Sequence, residues 1–346
     1  LARIDVTVMG AGIFGLACAW ACAARGARVR VIDPKGVAAG ASGGVVGALA
    51  PHAPERWTPL KAFQFDCLIA GEGFWAEVEA VSGLSAGYAR LGRMQPLADD
   101  AAVARAQERA EAAAALWQGK ARWQVVKAPE RAGWAPVSPT GLVVFDDLSA
   151  RLSPARACAS LAAAITALGG EVATEGAREG AVIWATGAAG LAMLSQALGR
   201  SVGAGVKGQA AVLGHDARDH AQIAAPGLHI VPHADGTVAV GSTSERDFAD
   251  PTATDERLDA VIARARALVP ALRDAPVIRR WAGVRPRARS RMPMLGPWPG
   301  RPGEFVANGG FKIGFALAPG VGRLMADLVL EGHDAIAAEF RVEANL

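Results

Sequence analysis

Lysine is scarce in this chain of 346 residues: among 36 basic residues only Lys35, Lys61, Lys120, Lys127, Lys207 and Lys312 are lysines, and the formal net charge is +3. So small an excess makes no case for a polyanionic partner, and nucleic acid is not expected. Cysteine is equally sparse. Cys18, Cys22, Cys67 and Cys158 form neither a CxxC pair nor a zinc-ligand spacing. Cys18 and Cys22 stand one helical turn apart in an alanine-rich stretch, which reads as buried free thiols in a reducing compartment. No apolar run is long enough to cross a bilayer, and the N-terminus enters a strand pattern without a basic segment and cleavage site. A cytoplasmic location with no integral membrane segment is therefore expected. No Ser/His/Asp order suggests a hydrolase. His229 and His233, on one side of a predicted strand, have no acid or cysteine at ligand spacing beside them, so no metal is expected.

What is abundant is apolar surface and glycine. An apolar fraction of 51% with 20% charged residues describes a soluble protein with large cores, and the length allows two domains. The segment IDVTVMGAGIFGLACAWACAARGARVRVIDP reads as strand, glycine turn, helix and strand. Gly10 makes the tight turn, Gly12 lets the backbone approach a pyrophosphate, and Gly15 lets helix and strand pack closely. Asp33 closes the second strand, 18 residues beyond Gly15, where an acid can accept hydrogen bonds from a ribose. Strand, helix and acid together make this a dinucleotide site.

The next stretch, PKGVAAGASGGVVGALAPHAPERW, is too rich in Gly, Ala and Ser for a packed βαβ unit. It suits an extended ligand that runs past the pyrophosphate and is touched by backbone, with Ser42 available for a phosphate oxygen. GAVIWATGAAG reads as a returning strand of the same sheet that ends in Thr186 and Gly187 beside the ligand. Near the C-terminus, NGGFKIGFALAPG puts three glycines and Lys312 ahead of a helix expected to start at Pro319, since Pro suits a first helical turn.

In their order these blocks, with VPHADGTVAVGST and WAGVRPRARSRMPMLG, span nearly the whole chain. Together they resemble the D-amino-acid oxidase, glycine oxidase and sarcosine oxidase family of FAD-dependent flavoproteins. The resemblance implies an α/β fold: a Rossmann-like FAD-binding domain interleaved with an α+β substrate domain on a large mixed, mainly antiparallel sheet. The FAD domain would comprise residues 1–80, 150–203 and 295–346, and the substrate domain residues 81–149 and 204–294. FAD would be lined by Gly10, Gly12, Ile13, Phe14, Gly15, Asp33, Pro34 and Lys35, and by Ala41, Ser42, Gly47, Ala48 and Leu49. Ala185, Thr186, Gly187, Arg285, Gly309, Gly310, Phe311, Lys312, Ile313 and Gly314 would complete the lining. Only ATEGAREG separates Glu171 and Val172 from the next strand, where relatives commonly carry a longer β-excursion.

For chemistry, the resemblance points to Arg285, Lys312 and His52. Arg285, at the end of an apolar strand, matches the family's carboxylate-binding arginine, and its fork can fix an amino acid in one orientation. Arg287, Arg289 and Arg291 read as a Pro-containing loop beyond it. Lys312 sits where the family has a basic or polar residue beside the substrate, with a solvent-facing role as the alternative. His52 follows the loop expected to pass the flavin; a structural role for it is equally open. The implied activity is oxidation of the C–N bond of glycine, sarcosine or a D-amino acid, by hydride transfer to flavin N5 and imine hydrolysis. Oxygen or another acceptor takes the electrons. Two alternatives stay open: a tRNA wobble-uridine demodification enzyme, for which the arginine run 279–291 could meet phosphates, and a flavin subunit of a larger dehydrogenase.

Overall fold

The computed structural model describes residues 3–129 and 133–346. The chain opens with β1 (Val6–Met9), α1 (Ile13–Ala23), β2 (Val29–Ile32) and β3 (Ala48–Leu49), then α2 (Pro59–Ser82). There follow β4 (Arg93–Pro96), α3 (Asp100–Leu116), β5 (Trp123–Lys127), β6 (Leu142–Asp146), β7 (Ala150–Arg151) and α4 (Pro154–Ala167). The middle holds β8 (Glu171–Ala173), β9 (Ala181–Trp184), α5 (Gly187–Ala197), β10 (Gly203–Leu213), β11 (Gln222–Ala225), β12 (Leu228–Pro232) and β13 (Val238–Gly241). The last third adds α6 (Glu256–Leu268), β14 (Val277–Ala288), β15 (Met294–Pro297), β16 (Glu304–Asn308) and α7 (Gly314–Glu331).

Two sheets carry the architecture. The first has the order β15-β16-β9-β1-β2-β8, parallel except for β15. Its central strand β1 is VTVM, covered on both sides, as parallel strands flanked by helices require. Thr7 is tolerated there because its hydroxyl donates to the Glu179 carbonyl at 2.7 Å and accepts from the Glu179 amide at 3.0 Å. Helices α1, α2, α4 and α7 share one apolar core with this sheet, built around Val8, Leu16, Leu161, Leu317 and Met325. The second sheet has the order β14-β10-β13-β12-β11-β4-β6-β5, antiparallel except where β11 meets β4. Its back face is closed by Leu258, Val261, Ile262 and Ala265 of α6, the period expected of one buried helix face.

Two sequence expectations are corrected. The last helix begins at Gly314, not at Pro319, which lies inside it. Proline fits the φ of a helix but has no N–H to give the carbonyl four residues back, so the Phe315 carbonyl loses its helical partner. Burial offsets that loss. A Cβ on Gly320 would meet the Cys67 sulfur at 2.5 Å, and one on Gly322 the Ala17 carbonyl oxygen at 2.5 Å, so α7 packs tightly on α2 and α1. The second correction concerns β14, which continues past Arg285 through Pro286 and Arg287 to Ala288 rather than giving way to a loop. It is an edge strand, where a proline without a ladder donor is tolerated. Ser153 occupies the position before α4 but its side chain makes no capping bond.

The four cysteines are buried and unpaired, and burial pushes Cys22, Cys67 and Cys158 up to about 12. Among the described residues, no helix is long and apolar enough to cross a membrane, and no His/Cys/Asp/Glu group is arranged to hold a metal ion.

Candidate active site

The dinucleotide fingerprint is assembled at the carboxyl edge of the first sheet. Gly10 has φ +110°, and a Cβ there would meet the Ala185 carbonyl oxygen at 2.5 Å, so the β1 turn lies directly on the end of β9. A Cβ on Gly15 would overlap the Gly10 carbonyl oxygen, which keeps that position bare. Gly12 precedes α1 and supplies no capping side chain. Of the first helical N–H groups, that of Ile13 donates to Ser42 Oγ at 2.9 Å, so Ser42 is drawn to this helix end. Asp33 receives the Ala11 amide on one oxygen at 2.9 Å and the Lys35 amide on the other at 3.0 Å, while Pro34 and Lys35 form an exposed turn.

The glycine-rich loop crosses from this edge to the second sheet. Ala41 and Ser42 belong to a single 3-10 turn, and Ala48 and Leu49 pair with Arg151 and Ala150. Gly47 is explained by the protein itself, since a Cβ there would overlap the Leu152 carbonyl oxygen. Thr186 follows β9 at the start of α5. Its buried hydroxyl has no hydrogen-bond partner, and Gly187 beside it has φ +59°. Asn308 links this corner to the C-terminal glycines: its amide donates to the Gly187 carbonyl at 2.9 Å, and its side-chain oxygen accepts from the Gly309 amide at 2.8 Å.

The stretch Gly309–Ile313 then turns into α7, whose N-terminus also lacks a capping side chain. Phe311, at φ +43°, donates its N–H to the Pro286 carbonyl at 3.0 Å. That bond sets Lys312 beside Arg285. Two cations flank the Phe311 ring, Lys312 Nζ at 5.5 Å and the Arg287 guanidinium at 5.9 Å from its centre. Burial lowers the Lys312 pKa, and the Arg285 charge lowers it further.

Arg285 comes from β14, opposite Val206 of β10. A Cβ on Gly208 would run into its guanidinium, so the glycine keeps space for the arginine. Arg285 donates to Ser242 Oγ at 2.8 Å and to the Thr243 carbonyl at 3.2 Å. Among the described residues no carboxylate is bonded to it. Desolvation brings its pKa down to about 10, opposed by the Glu245 charge. Glu245 acts from the other side of the sheet, where it accepts from Gln209 at 3.0 Å and Arg257 at 3.0 Å and lies 3.9 Å from Lys207. A cavity of about 420 Å³ opens on that back face, lined by Lys207, Glu245, Asp255 and Arg257, on the side away from Arg285.

The front face follows from register. Gly208, Ala210 and Val212 of β10, Gly241 and Ala239 of β13, and Gly283 and Arg285 of β14 share one side. His229 of β12 lies opposite Gly241 on the same side. Val45, Val46 and Trp281 pack onto this floor of small residues, so the glycine-rich loop rests on it. His229 is the residue that sequence reasoning weighed only as a metal ligand. Its Nδ1 is buried without a partner, and burial together with Arg93, Lys312 and Arg285 holds its pKa down to about 4. It is neutral at pH 7. The usable signal was alternation along LHIVP, but which side met the flavin loop depended on the partner strands.

His52 follows the glycine-rich loop. Its backbone N–H donates to Gln64 Oε1 at 3.0 Å and its Nδ1 lies 2.6 Å from the same oxygen, which ties the ring to α2. Burial, Lys61 and Arg93 lower its pKa while the Gln64 bond raises it. The arginine run is also divided. Arg280 pairs with Asp259 of α6, Arg285 faces inward, and Arg287 lies against Phe311, so these arginines present no single phosphate-binding surface.

A Rossmann-like sheet with this fingerprint, joined to a large antiparallel sheet whose inner face carries an arginine, defines a flavoprotein oxidoreductase. The profile of the family described as DAO, FAD dependent oxidoreductase, matches residues 5–328, and the chain belongs to that family. It is similar to the glycine oxidase of Geobacillus kaustophilus, 27% identical over 94% of this chain and 93% of that protein. A crystal structure of glycine oxidase from the same organism superposes with a TM-score of 0.84 at 24% identity, covering 99% of both chains. The chain is also 38% identical to the glycine oxidase of Pseudomonas aeruginosa, but over 33% of this chain and 31% of that one.

The residues fit FAD. Two helix ends whose own cap residues supply no capping side chain, a bare glycine turn and the orphaned Thr186 hydroxyl all lie where a dinucleotide would find donors.

Proposed function

We propose that the chain oxidises the C–N bond of a small amino acid, glycine, sarcosine or a D-amino acid, with Arg285 receiving the substrate carboxylate. The observation that carries this reading is an arginine with no bonded carboxylate on the inner face of the second sheet, above a floor of glycine and alanine. Arg285 uses one guanidinium nitrogen on Ser242 and the other on Thr243, which fixes the plane of the fork. Its remaining N–H bonds would meet a carboxylate as a planar, charge-assisted pair. Gly208, Ala210 and Gly241 leave room for a small substrate lying flat across the strands.

FAD, when bound, supplies the two-electron acceptor. The protein's part is positioning and charge. A substrate amine must lose its ammonium proton before its nitrogen lone pair can form the C=N bond. No Asp or Glu is among the inner-face residues of β10, β12, β13 and β14, whereas Arg285 and Lys312 are close. The two cations disfavour the ammonium form, so the proton leaves to water without a dedicated base. The bare α7 N-terminus would stabilise negative charge gathering on the reduced ring by ~0.3 to 1 kcal/mol. The glycine oxidases among its relatives favour glycine as the first substrate to try.

The test is anaerobic mixing of the FAD-loaded protein with glycine, sarcosine, D-amino acids and proline while the visible flavin absorbance is followed. Bleaching by one class supports the reading, and admitting air then separates an oxidase from a dehydrogenase. A bound flavin that dithionite reduces and no amine bleaches would overturn it.

A further inference from the structure

The inner face carries more positive charge than one substrate carboxylate neutralises. Arg287 and Lys312 flank Phe311, which is hydrogen-bonded to Pro286 next to Arg285, and none of the three cations has an Asp or Glu within salt-bridge distance among the described residues. Arg30, Arg93, Arg109 and Arg257, by contrast, each hold a carboxylate. On the inner face of the second sheet, Asp146 of β6 is fully buried and committed to Arg93 at 2.9 Å. His229, between these groups, is neutral and supplies no further charge.

We propose that the substrate is an amino diacid, with one carboxylate on Arg285 and a second on Lys312. This deepens the amine-oxidation reading and rests on it. The two cations suit the two ends differently. Arg285 is held rigidly by two acceptors and fixes the carboxylate next to the reacting carbon. Lys312 is a point charge on a flexible, exposed stem, its Nζ 5.5 Å from the centre of the Phe311 ring, and it can follow a second carboxylate at more than one distance. The balance is that of any amine oxidation. Two electrons and one proton leave the carbon bearing the Arg285-bound carboxylate for FAD, and the nitrogen lone pair forms the C=N bond. Water then adds and the C–N bond breaks, giving a 2-oxo acid and an amine. In a secondary amine such as iminodiacetate, the second carboxylate leaves with the amine.

The alternative use of Lys312 is to stabilise the reduced flavin, and ligands that cannot react separate the two. The FAD-loaded protein is titrated with malonate, succinate, acetate and propionate, reading the shift of the flavin spectrum, in wild type and in Lys312→Gln. The diacids are expected to bind at least tenfold more tightly than the monoacids, and K312Q to bring the malonate-to-acetate ratio to within about twofold of unity. Equal affinities in wild type, or an equal loss for both ligand classes in K312Q, would overturn the proposal. Anaerobic reduction by iminodiacetate, D-aspartate and glycine is read alongside. Faster reduction by a diacid supports the proposal. A glycine preference overturns it and leaves amine oxidation standing. Tight diacid binding with no reduction by any amine would instead remove the oxidation reading on which it rests.

Discussion

Replacing Arg285 with methionine separates a substrate anchor from a structural arginine. The guanidinium is partly buried, bonded to the Ser242 hydroxyl and the Thr243 carbonyl, and has no bonded carboxylate to leave stranded. Removing a buried cation is severe when it strands a partner charge. Here what remains is a neutral hydroxyl and a carbonyl, so R285M should change unfolding free energy by only about 1 kcal/mol. Binding is another matter. A substrate carboxylate would lose two charge-assisted hydrogen bonds at about 1.5–3 kcal/mol each, together about 3–6 kcal/mol, or roughly two to four powers of ten in kcat/KM. Arg285→Lys keeps the charge and loses the fork, so its penalty should be about 1.5–3 kcal/mol, roughly one to two powers of ten. The assays are urea unfolding of both variants, steady-state kinetics, and acetate binding read on the flavin spectrum. An R285M protein that binds acetate like wild type, or loses activity only as it loses folded protein, would refute the reasoning.

Other expectations concern the cofactor site and the buried groups. Gly15→Ala would force a Cβ into the Gly10 carbonyl, so it should cost on the order of 2–4 kcal/mol and abolish flavin retention; a variant purified yellow at normal stability would contradict this. Thr186→Val removes a buried hydroxyl that has no partner in the protein, so the flavin-free protein should gain up to about 1 kcal/mol while FAD affinity falls; calorimetry and flavin fluorescence check both signs. His229 and His233 are both held near pKa 4 by burial, below the ordinary value of 6.5. Their contribution is full above pH 6.5 and is lost as pH falls toward 4, because the unfolded chain takes up the protons first. The loss should approach about 2–3 kcal/mol for each, and urea unfolding at pH 7 and pH 5 should differ less in His233→Phe than in wild type. Finally, the four buried thiols should be silent to a thiol reagent in the native protein and all react in denaturant; rapid native labelling would refute their burial.

How much of this was legible depended on whether the signal was local. The fingerprint from Gly10 to Asp33 was readable because strand, turn, helix and acid are all set within one short segment. Helix α7 was misread because Pro319 is a local signal for a helix start, while the packing that tolerates it inside a helix comes from Cys67 and Ala17 far away in sequence. The extent of β14 was hidden for the same reason: Pro286 looks like a strand end until its edge position is known. Helix α2 was not anticipated although its signals are local, with Thr58 accepting from the Lys61 amide, Pro59 in the first turn and Gly83 in the left-handed region. His229 could not have been assigned to the site from LHIVP alone. Its direction is fixed by register with Gly241, and register belongs to the pair of strands.

Glycine poses the harder problem, because two different needs leave the same letter in the sequence. Gly47 reads as room for a ligand, yet a Cβ there would strike the Leu152 carbonyl oxygen, so the protein's own packing accounts for it. Gly208 likewise makes room for Arg285. A Cβ on Gly187, by contrast, would meet nothing within 4 Å, and its φ of +59° is a turn requirement at the edge of the candidate cofactor site. The first kind of glycine brings strand, helix and arginine close enough for their backbone donors to converge, and the second lets the chain turn where they do. A cradle for a dinucleotide therefore follows from close packing of the protein on itself. That is why mutating Gly15 should cost stability and flavin together, whereas changing Thr186, whose hydroxyl no protein group satisfies, should set the two in opposition.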